Sequence, residues 1–254
     1  MDVGETIGKG ISVLLAPIGA LGSFLRGARL VHAQGVVYRA DVRPDATEGP
    51  LGALAASLAG PAIVRLSGSG PVLGVAVRFG TLPVAVPEPG APVQDLILLS
   101  VRRLADLPRA GRLTEVRDFL ANTYYTIAHS RVAGLGLVEL RLVAREAIGE
   151  ARSAIDAAGS RDARLEREVA AWAAVLRLEL RQIAPGALWQ PVATLTLTGR
   201  ADVDQAALDI NPYHADLGLE PAGFLQGLRW AVYPASQFGR AIRHQLDAWW
   251  ARTF

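Results

Sequence analysis

The sequence predicts an α+β domain built on a closed, mostly antiparallel eight-stranded β-barrel, with a helical insertion and C-terminal helices. Three observations carry that prediction. Eight short segments are rich in β-branched and aliphatic residues and alternate with a period near two. A long pattern rich in Ala, Glu and Arg is inserted between the sixth and seventh of them, and a second helical stretch follows residue 220. Neither an internal repeat nor a low-complexity tract divides the 254 residues, and 51% apolar content is ample for one continuous core. Many short antiparallel strands leave no free edge when they close on themselves.

The elements follow in chain order. "GVVYRADV" (35–42) reads as the first strand, and "AIVRLSGS" (62–69), "VLGVAVRFGT" (72–81) and "QDLILLSV" (94–101) as the next three. "SGSGP" is a hairpin turn, because Gly tolerates the positive φ that a tight reversal needs. The Pro-rich "LPVAVPEPGAP" (82–92) is a loop, and residues 113–121 read as helical. "NTYYTIAHS" (122–130) and "GLVELRLVA" (136–144) form a second pair of strands. The helical pattern over roughly 145–172 contains Gly149 and is expected to break at "AAGS" (157–160). "AAVLRLELRQI" (173–183) and "WQPVATLTLT" (189–198) supply the last two strands, and the tail ends in the amphiphilic "QLDAWWARTF".

Composition removes several classes of function. With no cysteine, there is no disulfide, thiolate nucleophile, iron–sulfur cluster or cysteine zinc site. The formal net charge is only +2, and the single lysine is Lys9. Arginines are interspersed with acids, as in "RDARLERE" (161–168), and no basic block is interleaved with aromatics, so no nucleic-acid partner is expected. Residues 11–25, "ISVLLAPIGALGSFL", are an uncharged run of fifteen, short of the roughly 18–20 of a membrane span, and the start "MDVGETIGKG" lacks a signal peptide's basic character. Residues 1–28 are expected to form an apolar helical segment packed on the body or on a second copy in a homodimer. A peripheral membrane contact is the alternative, with the chain otherwise cytoplasmic.

Familiar catalytic motifs are absent. None of His32, His129, His214 and His244 pairs in a His-x-x-x-His spacing, no Gly-x-Ser-x-Gly elbow occurs, and "GETIGKG" is one residue short of a phosphate loop. What remains is "FLQGLRWAVYPASQFGRAIRH" (224–244), where Arg229 lies four residues before Tyr233 and Arg240 seven after it. At about 100° per residue these three share one side of a helix, although Pro234 kinks it unless it sits in the first turn. Two readings stay open. One is an exposed tyrosine between solvated arginines; the other is a phenol whose pKa the cations depress, and a tyrosinate of that kind can ligate ferric haem.

Fragments in the same order as in the catalases favour the second reading. "RLVHAQG" (29–35) resembles the catalase segment that carries the distal histidine, and "VRLS" within residues 64–69 is similar to that family's Val-Arg-Phe-Ser. "LGVAVRF" resembles its Arg-Gly-Phe-Ala-Val-Lys-Phe, while "TYYTIAHSRVAGLGLVELRLV" and "QPVATLTL" are similar to its later barrel strands. "LQGLRWAVYPASQFGR" resembles its proximal helix, and "INPYHADL" a segment of small catalase-related proteins, a group that includes organic-hydroperoxide peroxidases and allene-oxide-synthase-like domains. The resemblance runs from about residue 29 to 244 and implies that residues 29–254 form a catalase-like domain that binds haem b through its iron. It implies Tyr233 as the proximal iron ligand and Arg229 as the cation that keeps it phenolate. His32 is then the distal acid/base, with Ser67 hydrogen-bonded to its other ring nitrogen, and Arg29, Arg65 and Arg240 pair with the propionates.

One departure from the family bears on substrate. Catalases follow an Asp-Leu pair with Gly-Asn-Asn, which supplies a distal asparagine; here "QDLILLS" presents Leu98, Leu99 and Ser100. A leucine-lined ceiling favours hydrocarbon over hydrogen peroxide. The expected activity is therefore that of a haem-dependent oxidoreductase acting on a fatty-acid or alkyl hydroperoxide or a similar apolar small molecule. Tailoring of a small metabolite, and a scaffold without turnover, are the alternatives. The chain also lacks the N-terminal arm and C-terminal domain of large catalases, which is expected to leave the haem edge open to larger molecules.

Overall fold

In the computed structural model the described residues are 34–80, 86–88, 90–144, 160–205 and 207–223, together with Thr6 and Ile11, both exposed. Eight strands form a closed antiparallel barrel: β1 (Gln34–Pro44), β2 (Gly60–Ser69), β3 (Val72–Phe79), β4 (Gln94–Leu99), β5 (Thr123–Tyr125), β7 (Gly136–Ala144), β8 (Val175–Gln182) and β9 (Gln190–Arg200). Neighbours run β8-β9-β1-β2-β3-β4-β5-β7, and the β7–β8 pairing closes the ring. Two short strands, β6 (His129–Val132) and β10 (Glu220–Ala222), extend the wall beside β7. The described helices are α1 (Gly49–Leu58), the single turn α2 (Ala110–Leu113) and α3 (Arg161–Ala170).

Period-2 alternation decides what faces inward. Ala62, Val64 and Leu66 of β2, Leu73, Val75 and Val77 of β3, and Val138, Leu140 and Leu142 of β7 all enter one buried core. All eight barrel strands contribute to it, and Val132 of β6 joins them. Helix α1 adds Leu54, Ala55 and Leu58, and α3 adds Leu165 and Val169, four residues apart and so on one side of the helix. Ser160 caps α3, its hydroxyl accepting from the Ala163 N–H at 3.2 Å. The β2–β3 hairpin turns through Gly70 and Pro71; Gly70 takes φ +58°, which the fixed negative φ of proline could not supply.

Two expectations need correction. Residues 113–121 are not one helix. A 3₁₀ segment (Leu104–Arg109) leads into α2, irregular chain follows, and a second 3₁₀ turn spans Phe119–Ala121. The reason is local competition for backbone groups. The Asn122 side chain accepts from the Glu115 N–H at 2.8 Å and donates to the carbonyls of Glu115 and Asp118 at 2.9 and 2.6 Å, while the Asp118 carboxylate accepts from the Leu120 N–H at 2.8 Å.

Residues 122–130 are likewise not one continuous strand. β5 and β6 lie along the same edge of β7, but Thr123 faces Val143 whereas Ser130 faces Val138, so the register slips by two residues between them. Thr126 bridges the slip: its N–H donates to the Leu140 carbonyl at 3.0 Å, and its hydroxyl accepts from the Leu140 N–H at 3.2 Å. Helix α3 starts after Ser160, within the expected helical pattern; residues 145–159, which include most of the expected break, and the expected helical tail beyond 223 lie outside the described residues.

Candidate functional site

The outward face of β1–β4 carries the described part of the expected site. Cross-strand registers arrange it in three adjacent rows: Gly35-Ser67-Gly74-Leu99, Val37-Arg65-Ala76-Ile97, and Arg39-Ile63-Arg78-Asp95. The middle of this face is apolar and covered, with Val37, Ile63 and Ala76 packed against Leu208 and Ile210 of the segment that follows β9. Arg65 and Ser67 are 3% and 4% exposed, unusually buried for their types. They share the face because they are two residues apart on one strand.

Their surroundings are built from small residues. A Cβ added at Gly35 would lie 2.9 Å from Cζ and Nη2 of Arg65 and 2.8 Å from the Leu66 carbonyl oxygen. Only glycine leaves room for the guanidinium there. Ser67 lies between Gly35 and Gly74 in its row, and its hydroxyl donates to the Gly74 carbonyl at 3.3 Å.

Of the other expected site residues, Arg29, His32, Arg229, Tyr233 and Arg240 lie outside the described residues. The leucine-lined ceiling needs correction. Leu98 points into the barrel and is fully buried in the core, because β4 alternates; Leu99 alone of the pair shares the row of Ser67. Ser100 is also engaged elsewhere, accepting from the Leu73 N–H at 3.0 Å and lying 2.8 Å from the Thr114 hydroxyl.

The other end of the face holds a charged cluster that no motif in the sequence announces. Arg78 and Asp95, both with fully buried side chains, face each other across β3 and β4. Arg78 donates through Nε to Asp95 Oδ1 and through Nη2 to Oδ2, both at 2.8 Å, and also to the Asp209 carbonyl. Asp95 Oδ2 further accepts from the Asn211 N–H at 2.8 Å and lies 2.7 Å from His214 Nδ1. Gln94 extends the attachment, donating to the carbonyls of His214 and Leu219 at 3.1 and 3.2 Å and accepting from the Leu219 N–H at 3.2 Å. "INPYHADL" is thus pinned to the barrel wall by side chains of β3 and β4. Among the described residues no group of three or more His, Asp or Glu is placed to hold a metal ion.

No family model and no curated protein matches the chain.

His214 gives this face a pH dependence. Its hydrogen bond to Asp95 holds its pKa above the ordinary imidazole value, against burial and the nearby Arg78, with Asp95 and Asp209 adding to the rise. A raised folded-state pKa contributes stability that is fully present below the unfolded value of about 6.5 and is lost as pH rises through the folded value. Thermal melts are expected to show stability falling across that window, and His214→Gln to flatten the dependence. A variant with the wild-type pH profile would remove His214 as its source.

Proposed function

We propose that the chain is a haem-dependent enzyme of the catalase fold that acts on an organic hydroperoxide. The observation that carries the reading is the outward face of β1–β4, where Arg65 and Ser67 are buried together beside a row containing Gly35, Gly74 and Leu99. Two placements of the described residues support the reading. The Arg65 guanidinium occupies the space that a Cβ at Gly35 would fill, and Ser67 shares its face.

Tyr233 would hold the iron of haem b and Arg229 would keep its oxygen ionised, with Arg29, Arg65 and Arg240 on the propionates. The haem, when bound, supplies the ferric centre for cleavage of the O–O bond. His32 takes the hydroperoxide proton onto a ring nitrogen and returns it to the departing oxygen. Ser67 would accept a hydrogen bond from the other ring nitrogen and so set the tautomer that can do both. The apolar Leu99, half-buried in the row of Ser67, favours a substrate carrying hydrocarbon.

Absorption spectra of the purified protein with and without haemin test this reading. A Soret band is expected, lost or shifted in Tyr233→Phe while the far-ultraviolet signal of the barrel is retained. Arg229→Ala should disturb the band more than Arg240→Ala, because a propionate partner acts at the periphery of the macrocycle. An unchanged band in Tyr233→Phe would sink the assignment.

A further inference from the structure

Away from this face, the wall formed by β7 and β8 carries an arginine-rich outer surface that the proposed haem chemistry does not use. Glu139 and Arg181 are cross-strand partners, as are Arg141 and Glu179. Glu139 accepts from Arg102 Nε and Nη2 at 2.9 and 3.0 Å and from Arg181 Nη2 at 2.6 Å. Burial pushes its pKa up, but the bonds from Arg102 and Arg181 outweigh that and hold it below the ordinary carboxylate value. The guanidiniums are also fixed by aromatic rings: Arg181 and Arg141 lie 5.0 and 4.3 Å from the Trp189 ring centre, and Arg102 lies 5.9 Å from that of Tyr125.

Arg102, Arg103 and Arg181 all line a cleft of about 280 Å³, and among the described residues Glu139 is the one carboxylate lining it. Three cations against one anion leave the cleft short of negative charge. Asp106 lies beside it, with one carboxylate oxygen taken up by the Arg103 N–H at 3.0 Å. Arg181 Nε is moreover a buried donor with no acceptor among the described residues. Leu104, Ile127 and Ile183 line the same cleft, and Leu104 and Ile183 are each 46% exposed. The volume lies near the lower edge of the range for small-ligand pockets, roughly 300–1,000 Å³.

We propose that this cleft binds a medium-chain monocarboxylate, its head on Arg102, Arg103 and Arg181 and its hydrocarbon along Leu104, Ile127 and Ile183. The guanidinium forks of Arg102 and Arg181 suit a carboxylate, and holding them in advance lowers the ordering cost of binding, while the exposed Arg103 adds a third cation. The site does not depend on haem.

Calorimetric titration of the full chain, without added haemin, tests the proposal with decanoate, decanol and butyrate. Decanoate is expected to bind about tenfold or more tightly than either of the others, since one lacks the charge and the other most of the apolar surface. Arg103→Gln and Arg181→Gln should each weaken decanoate about tenfold, whereas Arg43→Gln, outside the cleft, should not. Arg103 is exposed, so its variant keeps the test decisive if Arg181→Gln fails to fold. Equal binding of decanoate and decanol, equal binding of decanoate and butyrate, no saturable heat, or an Arg103→Gln variant indistinguishable from wild type would each overturn it.

Discussion

Asp95→Asn is expected to destabilise the chain by about 3–5 kcal/mol, the usual consequence of removing one partner from a buried ion pair. Asp95 has a fully buried side chain and accepts from Arg78 twice, from the Asn211 N–H and from His214. Asparagine keeps the shape but not the charge, so Arg78 would be left as an uncompensated buried cation. Urea unfolding should show a lower midpoint with little change in slope. Asp41→Asn is the control. Its partner Arg43 is 80% exposed, and loss of such a surface pair is expected to cost at most about 1 kcal/mol. Equal, small effects of both substitutions would show that the cluster does not anchor residues 207–219 to the barrel.

The barrel is legible because alternation survives in its strands. "AIVRLSGS" places Ala62, Val64 and Leu66 inside and Ile63, Arg65 and Ser67 outside, so one strand announces both the core and a polar outer row. Helix α1 is not legible: "GPLGALAASL" contains two glycines and a proline, and its helical state comes from burying Leu54, Ala55 and Leu58 on the barrel core. The register slip between β5 and β6 is invisible to hydrophobic periodicity, because Thr126 holds it through bonds to the Leu140 backbone.

The site is legible only in part. Arg65 and Ser67 stand two apart on one strand, so their shared face follows from sequence, whereas Arg78, Asp95 and His214 are separated by 17 and 119 residues and meet only through the fold. Arg78 and Asp95 are each the one charge in a mostly apolar strand, "VLGVAVRF" and "QDLILL", and a lone charge in such a run is the signal that can find the pair. Glu139 and Arg181 are also opposite charges in cross-strand register, on β7 and β8, but there charges alternate with leucines and none stands alone.

Leu99→Asn in haem-loaded protein is expected to raise the disproportionation of hydrogen peroxide by about 10²–10³, the size of effect commonly seen when one preorganised polar group is lost or restored. On the proposed reading, wild type has only His32 to polarise the peroxide, because Leu99 occupies the place in the Ser67 row where a polar side chain is missing. The same substitution should reduce turnover of a long-chain alkyl hydroperoxide, whose buried methylenes each contribute roughly 0.8 kcal/mol against an apolar wall. Leu98→Asn separates the site from the fold. Leu98 is fully buried inside the barrel, so an amide there should destabilise the protein without creating peroxide activity. Oxygen evolution and alkyl hydroperoxide consumption, measured on wild type and both variants, decide the matter. Fast oxygen evolution by wild type, or equal activity changes from the two leucine variants, would remove Leu99 as the residue that turns this face away from hydrogen peroxide.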